Sequence, residues 1–480
     1  MAESPKDKVA MTPDEFRELG HALIDWIAEY RAGVGDLPVM SQVKPGDIRK
    51  HLPAAPPEQG DGLDGLIDDL EHVLVPGLTH LQHPRNFSYF PANSELSSVL
   101  GDLLSSGLGQ LGLNWQASPA LTEFEEHMAD WMRQLIGLPD SFSGVIQDTA
   151  STSSLVALLC AREKSTRQGQ TRGGLQSENR ALTVYVSSQS HSSVEKAALL
   201  AGFGRDNLRA IDTDDDYALR VDRLEAAIKA DLEHGRQPCA VVATTGTTIS
   251  TALDPIREMA AIARKYDLWL HIDSALAGSA MILPECRWMW EGIDDADSIV
   301  LNPHKWLGVV FDCSLFYVRD VQHLIRVMSM NPSYLRTPAD HEANNFRDWG
   351  IPLGRRFRAL KLWLLLRKHG AEGLRNRLRR DLANAQWLKQ QVVAEADWEC
   401  VAPVPLQTLC IRHQPPGMST EQADQHTQDW VRRINESGKA FLTPAILNGH
   451  WVARVSIGSL LTEREDVAEL WELIKSEAGR

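Results

Sequence analysis

The chain has little cysteine for its length. Six residues in 480, at positions 160, 239, 286, 313, 400 and 410, form no CxxC pair. That spacing offers neither a disulfide framework nor a zinc cluster, and it points to a reducing compartment. Positive charge is also in deficit: 49 Lys and Arg stand against 64 Asp and Glu, a formal net charge of −15. This argues against a general polyanion binder such as a nucleic-acid protein. No apolar run approaches the ~18–20 residues that cross a bilayer; Leu362-Trp363-Leu364-Leu365-Leu366 is among the longest. The stretch Met1 to Met11 is polar and charged, without the apolar segment of a secretory leader. P-loop, HExxH and GxSxG motifs are missing, which removes the usual support for an NTPase, a zinc protease or an α/β-hydrolase. The expectation is a cytoplasmic protein that engages neither membrane nor nucleic acid.

What is present is ordinary globular material, 43% hydrophobic and 24% charged. Its length exceeds the ~250–300 residues of a single core, so two or three domains are expected. Thr12, Pro13 and Glu15 make a helix start, and Phe16, Leu19, Leu23, Ile27 and Tyr30 recur at helical spacing, predicting a helix over 13–31. A proline-rich segment follows. The two together carry little core and predict a docking arm over 1–85. Residues 61–140 read as helices around a proline-bounded aromatic loop, His83 to Pro91. From 140 to 320, apolar runs at 182–186, 240–244, 268–272, 298–300 and 314–318 alternate with helical patterns at 151–164, 192–202, 221–233 and 255–266. That alternation predicts an α/β fold with a mostly parallel sheet buried on both faces. The segment 355–393 reads as helix. Mixed patterns beyond it, with strands at 409–412 and 452–457 and a helix at 463–476, predict a small α+β domain. The expected division is 1–85, 86–393 and 394–480.

Gly107-Leu108-Gly109-Gln110-Leu111-Gly112 matches the dinucleotide fingerprint GxGxxG. It follows a helical rather than a strand pattern, so the reading is a turn or close packing.

The segment Asn302-Pro303-His304-Lys305-Trp306 ends a β-branched strand. A lysine beside apolar and aromatic groups loses its proton more readily and becomes a Schiff-base nucleophile. Asp273 closes an apolar strand, where a carboxylate can keep a pyridine nitrogen protonated. Gln147 to Ser154 brings hydroxyls to a helix start, a ready anion receptor. His191 follows another strand, where it can stack on a ring, and Thr244-Thr245-Gly246-Thr247-Thr248 follows a further one. Singly, each has an ordinary reading as a helix cap, a loop histidine or a strand end. Their coincidence in one α/β region favours a site for pyridoxal 5'-phosphate (PLP).

The same residues resemble the group II PLP-dependent decarboxylases of the aromatic-L-amino-acid (DOPA) decarboxylase type. The likeness runs nearly end to end. Its motifs are Asn302 to Trp306, His271 to Asp273, His191 to Val194, Trp115 to Glu123 and Trp349 to Arg358. It implies a fold-type I architecture and a homodimer embraced by its N-terminal arms. It implies decarboxylation of an aromatic L-amino acid to its amine, with Lys305 as Schiff-base lysine, Asp273 on the pyridinium, and His191 and Ala275 on the two ring faces. Thr149, Ala150, Ser151, Asn302 and His304 would hold the phosphate, and Thr248 would touch the cofactor. Tyr334 matches the tyrosine of a mobile loop that returns a proton to Cα, with His191 as a relay.

The resemblance places the substrate among Leu81, Tyr89, Phe90, Pro91, Leu113, His191 and Gly354. Relatives often carry Trp at 81 and Phe at 113, and some plant relatives carry Ser at 354. Leucine at the first two positions widens the pocket, toward indole or a non-aromatic side chain. No arginine is obviously placed to receive an acidic side chain, which disfavours glutamate or cysteine sulfinate; Arg85 is the one candidate that could overturn this. Two alternatives stay open: a decarboxylase of a non-aromatic amino acid, and a PLP-dependent aldehyde synthase.

Overall fold

Thr12 opens the first helix, α1 (Pro13–Gly33). Its hydroxyl accepts from the Glu15 amide at 3.3 Å, and the Glu15 carboxylate accepts from the Thr12 amide at 2.7 Å. This is the capping box the sequence predicts. No residue of α1 is buried within the chain. The computed structural model describes residues 11–58, 60, 62–330, 332–335 and 337–480.

Residues 62–95 are less helical than expected. They hold the one-turn α2 (Leu66–Asp69), a π turn at Leu70–Leu74 and irregular chain. Pro76, Pro84 and Pro91, with Gly62, Gly65 and Gly77, break any longer helix. Regular structure resumes with α3 (Leu96–Leu108), capped by the Glu95 side chain, and α4 (Pro119–Ile136). Gly109 closes α3 at φ +60, and a Cβ on Gly112 would lie 2.8 Å from the Leu121 side chain. The GxGxxG stretch therefore serves a helix stop and a close approach.

A seven-stranded sheet follows. Its elements in chain order are β1 (Ser143–Gln147), α5 (Ala150–Ser165), β2 (Leu182–Ser187), α6 (Ser192–Leu200), β3 (Leu208–Ile211), α7 (Val221–Glu233), β4 (Gln237–Thr244), α8 (Ile256–Lys265), β5 (Trp269–Asp273), β6 (Ser298–Leu301) and β7 (Ser314–Val318). The spatial order is β1-β7-β6-β5-β4-β2-β3. β6, β5, β4, β2 and β3 run parallel, and β7 is antiparallel to both neighbours. Val241, Ala243, Leu270 and Ile272 enter one hydrophobic cluster, while Ala240, Val242 and Trp269 enter the other. Successive strand residues point to opposite faces, and both faces are covered. That is why these strands read as unbroken apolar runs.

The chain continues through α9 (Val321–Met328) into α10 (Ala359–Ala394), which turns at Gly370 with φ 61. Leu360 to Leu378 of α10 join the core of the large sheet, and Ala385, Leu388 and Val392 join a second core. That core lies against an antiparallel sheet of order β10-β11-β9-β8. It is built from β8 (Trp398–Cys400), β9 (Thr408–His413), α11 (Thr420–Glu436), β10 (Thr443–Leu447), β11 (His450–Ser456) and α12 (Arg464–Ala478). Among the described residues, no helix is long and apolar enough to cross a membrane, and no group of three or more His, Cys, Asp or Glu could hold a metal.

Candidate active site

The C-terminal ends of the sheet's parallel strands converge on one cavity of about 240 Å³. β1 supplies Thr149, Ala150 and Ser151. β2 supplies His191 and Ser193. β4 leads to Thr244, Gly246 and Thr248. β5 ends in Asp273 and continues to Ala275 and Leu276. β6 leads to Asn302, His304 and Lys305, and Phe90 forms a wall from the N-terminal side. This is the edge where open α/β sheets bind ligands. A wider cleft of about 840 Å³ lies between α4 and residues 339–348. Its polar lining is mostly carboxylate and amide, without the lysine, histidine and anion receptor gathered in the smaller cavity.

Burial lowers the Lys305 pKa; nearby Asp273 opposes that shift and the Arg454 charge adds to it. The amine is thereby moved toward its nucleophilic form. Its Nζ stands 5.2 Å from the centre of the Phe90 ring. Asp273 is buried, and one of its oxygens accepts from the Ala275 amide at 3.1 Å.

His191 caps α6. Its Nδ1 accepts from the Ser193 amide at 3.1 Å, which leaves the proton of the neutral ring on Nε2. Burial lowers its pKa, against the pull of Asp273. In His304, Nδ1 accepts from the Cys313 amide at 2.9 Å, and burial pushes the pKa down to about 3. That ring is a neutral donor through Nε2.

Close packing fixes the turns that carry these groups. A Cβ on Gly278, just after β5, would collide with the Leu301 side chain at the end of β6. Buried Asp254 accepts from the amides of Thr244 and Leu219, both at 2.8 Å, and so ties down the end of β4.

The donor set fits PLP. Thr149 makes no side-chain capping hydrogen bond at the start of α5, so its hydroxyl and the helix N-terminus are available to an anion. The buried Asn302 Oδ1 has no partner within the chain. A carboxylate suited to a pyridinium, an amine suited to an aldehyde and an imidazole suited to a ring face share the same small space.

Sequence reasoning names eleven of the residues brought together here: Phe90, Thr149, Ala150, Ser151, His191, Thr248, Asp273, Ala275, Asn302, His304 and Lys305. It does not assign Ser193, Thr244, Gly246 or Leu276, although the first three lie inside motifs it singles out. It misses Arg454, whose guanidinium Cζ lies 4.4 Å from the centre of the Phe90 ring.

The remaining substrate positions do not line the cavity of a single chain. Leu81 and Tyr89 are 38% and 59% exposed. Pro91 packs against Gly458, where a Cβ would come within 2.9 Å of its ring. Gly354 makes room for Leu111, whose Cδ1 would lie 2.9 Å from a Cβ there; Leu113 follows two residues later. Arg85 is paired with Glu469 at 2.8 Å, away from the cavity. Tyr334 sits in the turn Ser333–Leu335, and its side chain lies outside the described residues.

The sequence matches the pyridoxal-dependent decarboxylase conserved domain over residues 45–414. The chain belongs to the pyridoxal-dependent decarboxylases. It is 40% identical to tryptophan decarboxylase 2 of Oryza sativa subsp. japonica over 481 residues, covering 98% of this chain and 96% of that protein. It is also 40% identical to phenylacetaldehyde synthase of Arabidopsis thaliana over 480 residues, covering 98% and 97%. Among solved structures, Oryza sativa TDC with PLP and tryptamine superposes with a TM-score of 0.95 at 36% identity, over 98% of both chains. A pyridoxal-dependent decarboxylase is a carboxy-lyase that uses PLP, and the sheet described above is its fold-type I architecture.

Proposed function

We propose that this decarboxylase converts an aromatic L-amino acid of the tryptophan, 5-hydroxytryptophan, DOPA, tyrosine and phenylalanine class to its amine and CO2. One observation carries the reading: the wall of the Lys305 cavity is the Phe90 ring, while Arg85, the cation suited to an acidic substrate, is engaged elsewhere by Glu469. The likeness to tryptophan decarboxylase supports the same choice.

In this reading Lys305 would hold the cofactor aldehyde. Asp273 would pair with the pyridine nitrogen, and His191 and Ala275 would contact the ring. Thr149, Ala150, Ser151, Asn302 and His304 would take the phosphate, and Thr248 would contact the cofactor. When bound, PLP supplies a protonated pyridine that accepts the electron pair left behind by CO2. The chain's own residues do the rest. Asp273 keeps that nitrogen charged by a carboxylate in a low-dielectric site. The apolar wall at Phe90 would hold and orient the substrate side chain. Tyr334, with His191 as relay, delivers a proton to Cα.

We also infer a cytoplasmic homodimer, divided into an arm over 1–85, a large domain over 86–393 and a small one over 394–480. Exposed Leu100, Leu104 and Leu108 on α3 and the only partly covered apolar stripe of α1 support a partner surface. Leu81, Tyr89, Pro91, Leu113 and Gly354 would border the substrate around the Lys305 cavity.

The test is a mass-spectrometric product assay on PLP-loaded protein. It presents the five aromatic amino acids beside histidine, glutamate and aspartate. An aromatic amine as main product supports the reading. Product from a non-aromatic member alone, or no product, rejects it. An aldehyde as main product would favour the second reading, which rests on the likeness to phenylacetaldehyde synthase.

A further inference from the structure

Phe90 reaches the cavity from a turn that would not hold itself. Tyr89, just before it, has φ +45, a left-handed conformation unfavourable for an aromatic residue. Two residues of the C-terminal sheet hold that turn. Thr443 on β10 accepts from the Tyr89 amide at 2.7 Å through its hydroxyl. Arg454 on β11 donates through Nη1 to the Tyr89 carbonyl, and through Nε to the Ile249 carbonyl at 3.1 Å.

The Arg454 guanidinium then lies over the Phe90 ring, with its Cζ 4.4 Å from the ring centre. Lys305 Nζ stands 5.2 Å from the same centre. Arg454 is 3% exposed, and its Nη2 is buried without a hydrogen-bond partner. No carboxylate among the described residues forms an ion pair with it, and burial lowers its pKa to about 10. A cation so placed depends on the aromatic face for compensation. Phe90 lines the cavity and Arg454 does not.

We propose that Arg454 is a specificity-determining positioning residue. It fixes Phe90 as the apolar wall of the substrate site and is itself screened by that ring. The site therefore takes a neutral aromatic side chain and refuses a carboxylate that the hidden guanidinium would otherwise attract. This rests on the reading of the Lys305 cavity as an amino-acid decarboxylase site.

The experiment uses full-length, PLP-loaded enzyme in four forms: wild type, Phe90→Ala, Arg454→Met and the double variant. KM and kcat for L-tryptophan are measured together with inhibition by L-glutamate. Phe90→Ala is expected to raise the KM for tryptophan about tenfold, the loss of one aromatic contact. It is also expected to tighten glutamate inhibition about tenfold by uncovering the cation. The double variant should lose the glutamate gain, and its KM should rise by less than the product of the single effects.

A merely structural arginine would give no glutamate gain in Phe90→Ala and independent effects on KM; that pattern overturns the proposal. If Phe90→Ala does not fold, Phe90→Leu with Arg454→Lys reads the same coupling. Lysine keeps the charge, so glutamate inhibition should tighten in the Phe90→Leu/Arg454→Lys pair and not in Phe90→Leu/Arg454→Met; equal inhibition in the two overturns it. A wild type that forms no aromatic amine from any of the five aromatic amino acids overturns the functional reading and this proposal together. A wild type that does, with uncoupled variants, overturns the proposal alone.

Discussion

Trp306 Nε1 donates to Asp381 Oδ2 at 2.8 Å, joining the residue next to Lys305 to the middle of α10. The Trp306 carbonyl accepts from Arg377, one helical turn before Asp381. Two side chains of α10 thus grip the turn that carries the lysine, by its ring and by its backbone. Trp306 and Asp381 are fully buried, and Arg377 is partly buried. Burial pushes the Asp381 pKa up to about 6 and draws the Arg377 pKa down to about 10.

Asp381→Ala leaves the Trp306 N–H buried without an acceptor. The expected cost is about 1–3 kcal/mol of stability. A lower melting temperature and weaker retention of PLP through gel filtration check this. Unchanged retention would show that the lysine turn does not need the grip.

Lys305→Ala removes the amine from the cavity. Turnover should fall below detection while the fold, measured by circular dichroism and melting temperature, persists. Tyr334→Phe removes the proposed proton donor. It should keep PLP and substrate binding and shift the product from amine toward aldehyde, read by mass spectrometry. Amine at the wild-type rate from that variant would remove Tyr334 from the proton-transfer step.

The buried Arg355–Glu125 pair is bidentate, with contacts of 2.9 and 2.6 Å. Both partners are also bonded to the Ile146 backbone, Glu125 at 2.8 Å and Arg355 at 2.7 Å. Glu125→Ala strands a buried guanidinium and should cost about 3–5 kcal/mol. Denaturant unfolding measures it.

Burial pushes the Asp254 pKa from its ordinary 3.8 up to about 7. Between those values the native state binds more protons than the unfolded one, so this group's contribution to stability falls as pH rises through the window. The Asp254→Asn variant carries no titrating proton at this position. The melting temperature of the wild type relative to that variant should therefore decline from about pH 4 to about pH 7 and level off above it. A constant difference across that range would mean that Asp254 ionises freely in the folded state.

Gly278→Ala drives a methyl group into Leu301 between β5 and β6. Overpacking of this kind costs about 1–3 kcal/mol. Because the displaced strand leads to Asn302 and Lys305, PLP affinity should weaken along with the melting temperature. Loss of stability with intact PLP affinity would separate the packing from the site.

The central strands are legible in the sequence because burial on both faces leaves them no polar alternation; β7, expected at 314–318, spans Ser314–Val318. α7, expected at 221–233, spans Val221–Glu233. β1 and β3 are not legible. They are short, and Ser143, Gly144 and Arg209 dilute their patterns. α11 escapes sequence reading because its apolar positions are sparse among Gln, Asp, Glu and Arg. Cavity residues at strand ends can be found because each follows its own apolar run. Arg454 and Asp381 cannot. The first meets Tyr89 across 365 residues of chain and the second meets Trp306 across 75, and no local pattern encodes either contact.

The cavity wall at Phe90 has a mechanical consequence. Phe90, from the N-terminal side, and the strand ends of the large sheet close on the same space, so whatever fills that space acts as a clasp between distant stretches of polypeptide. Occupancy then feeds back on durability. A ligand held only by the closed form raises the unfolding free energy by RT ln(1 + [L]/Kd), about 2.7 kcal/mol at a hundredfold excess over Kd. The lifetime of this enzyme should accordingly track the supply of its vitamin-derived cofactor.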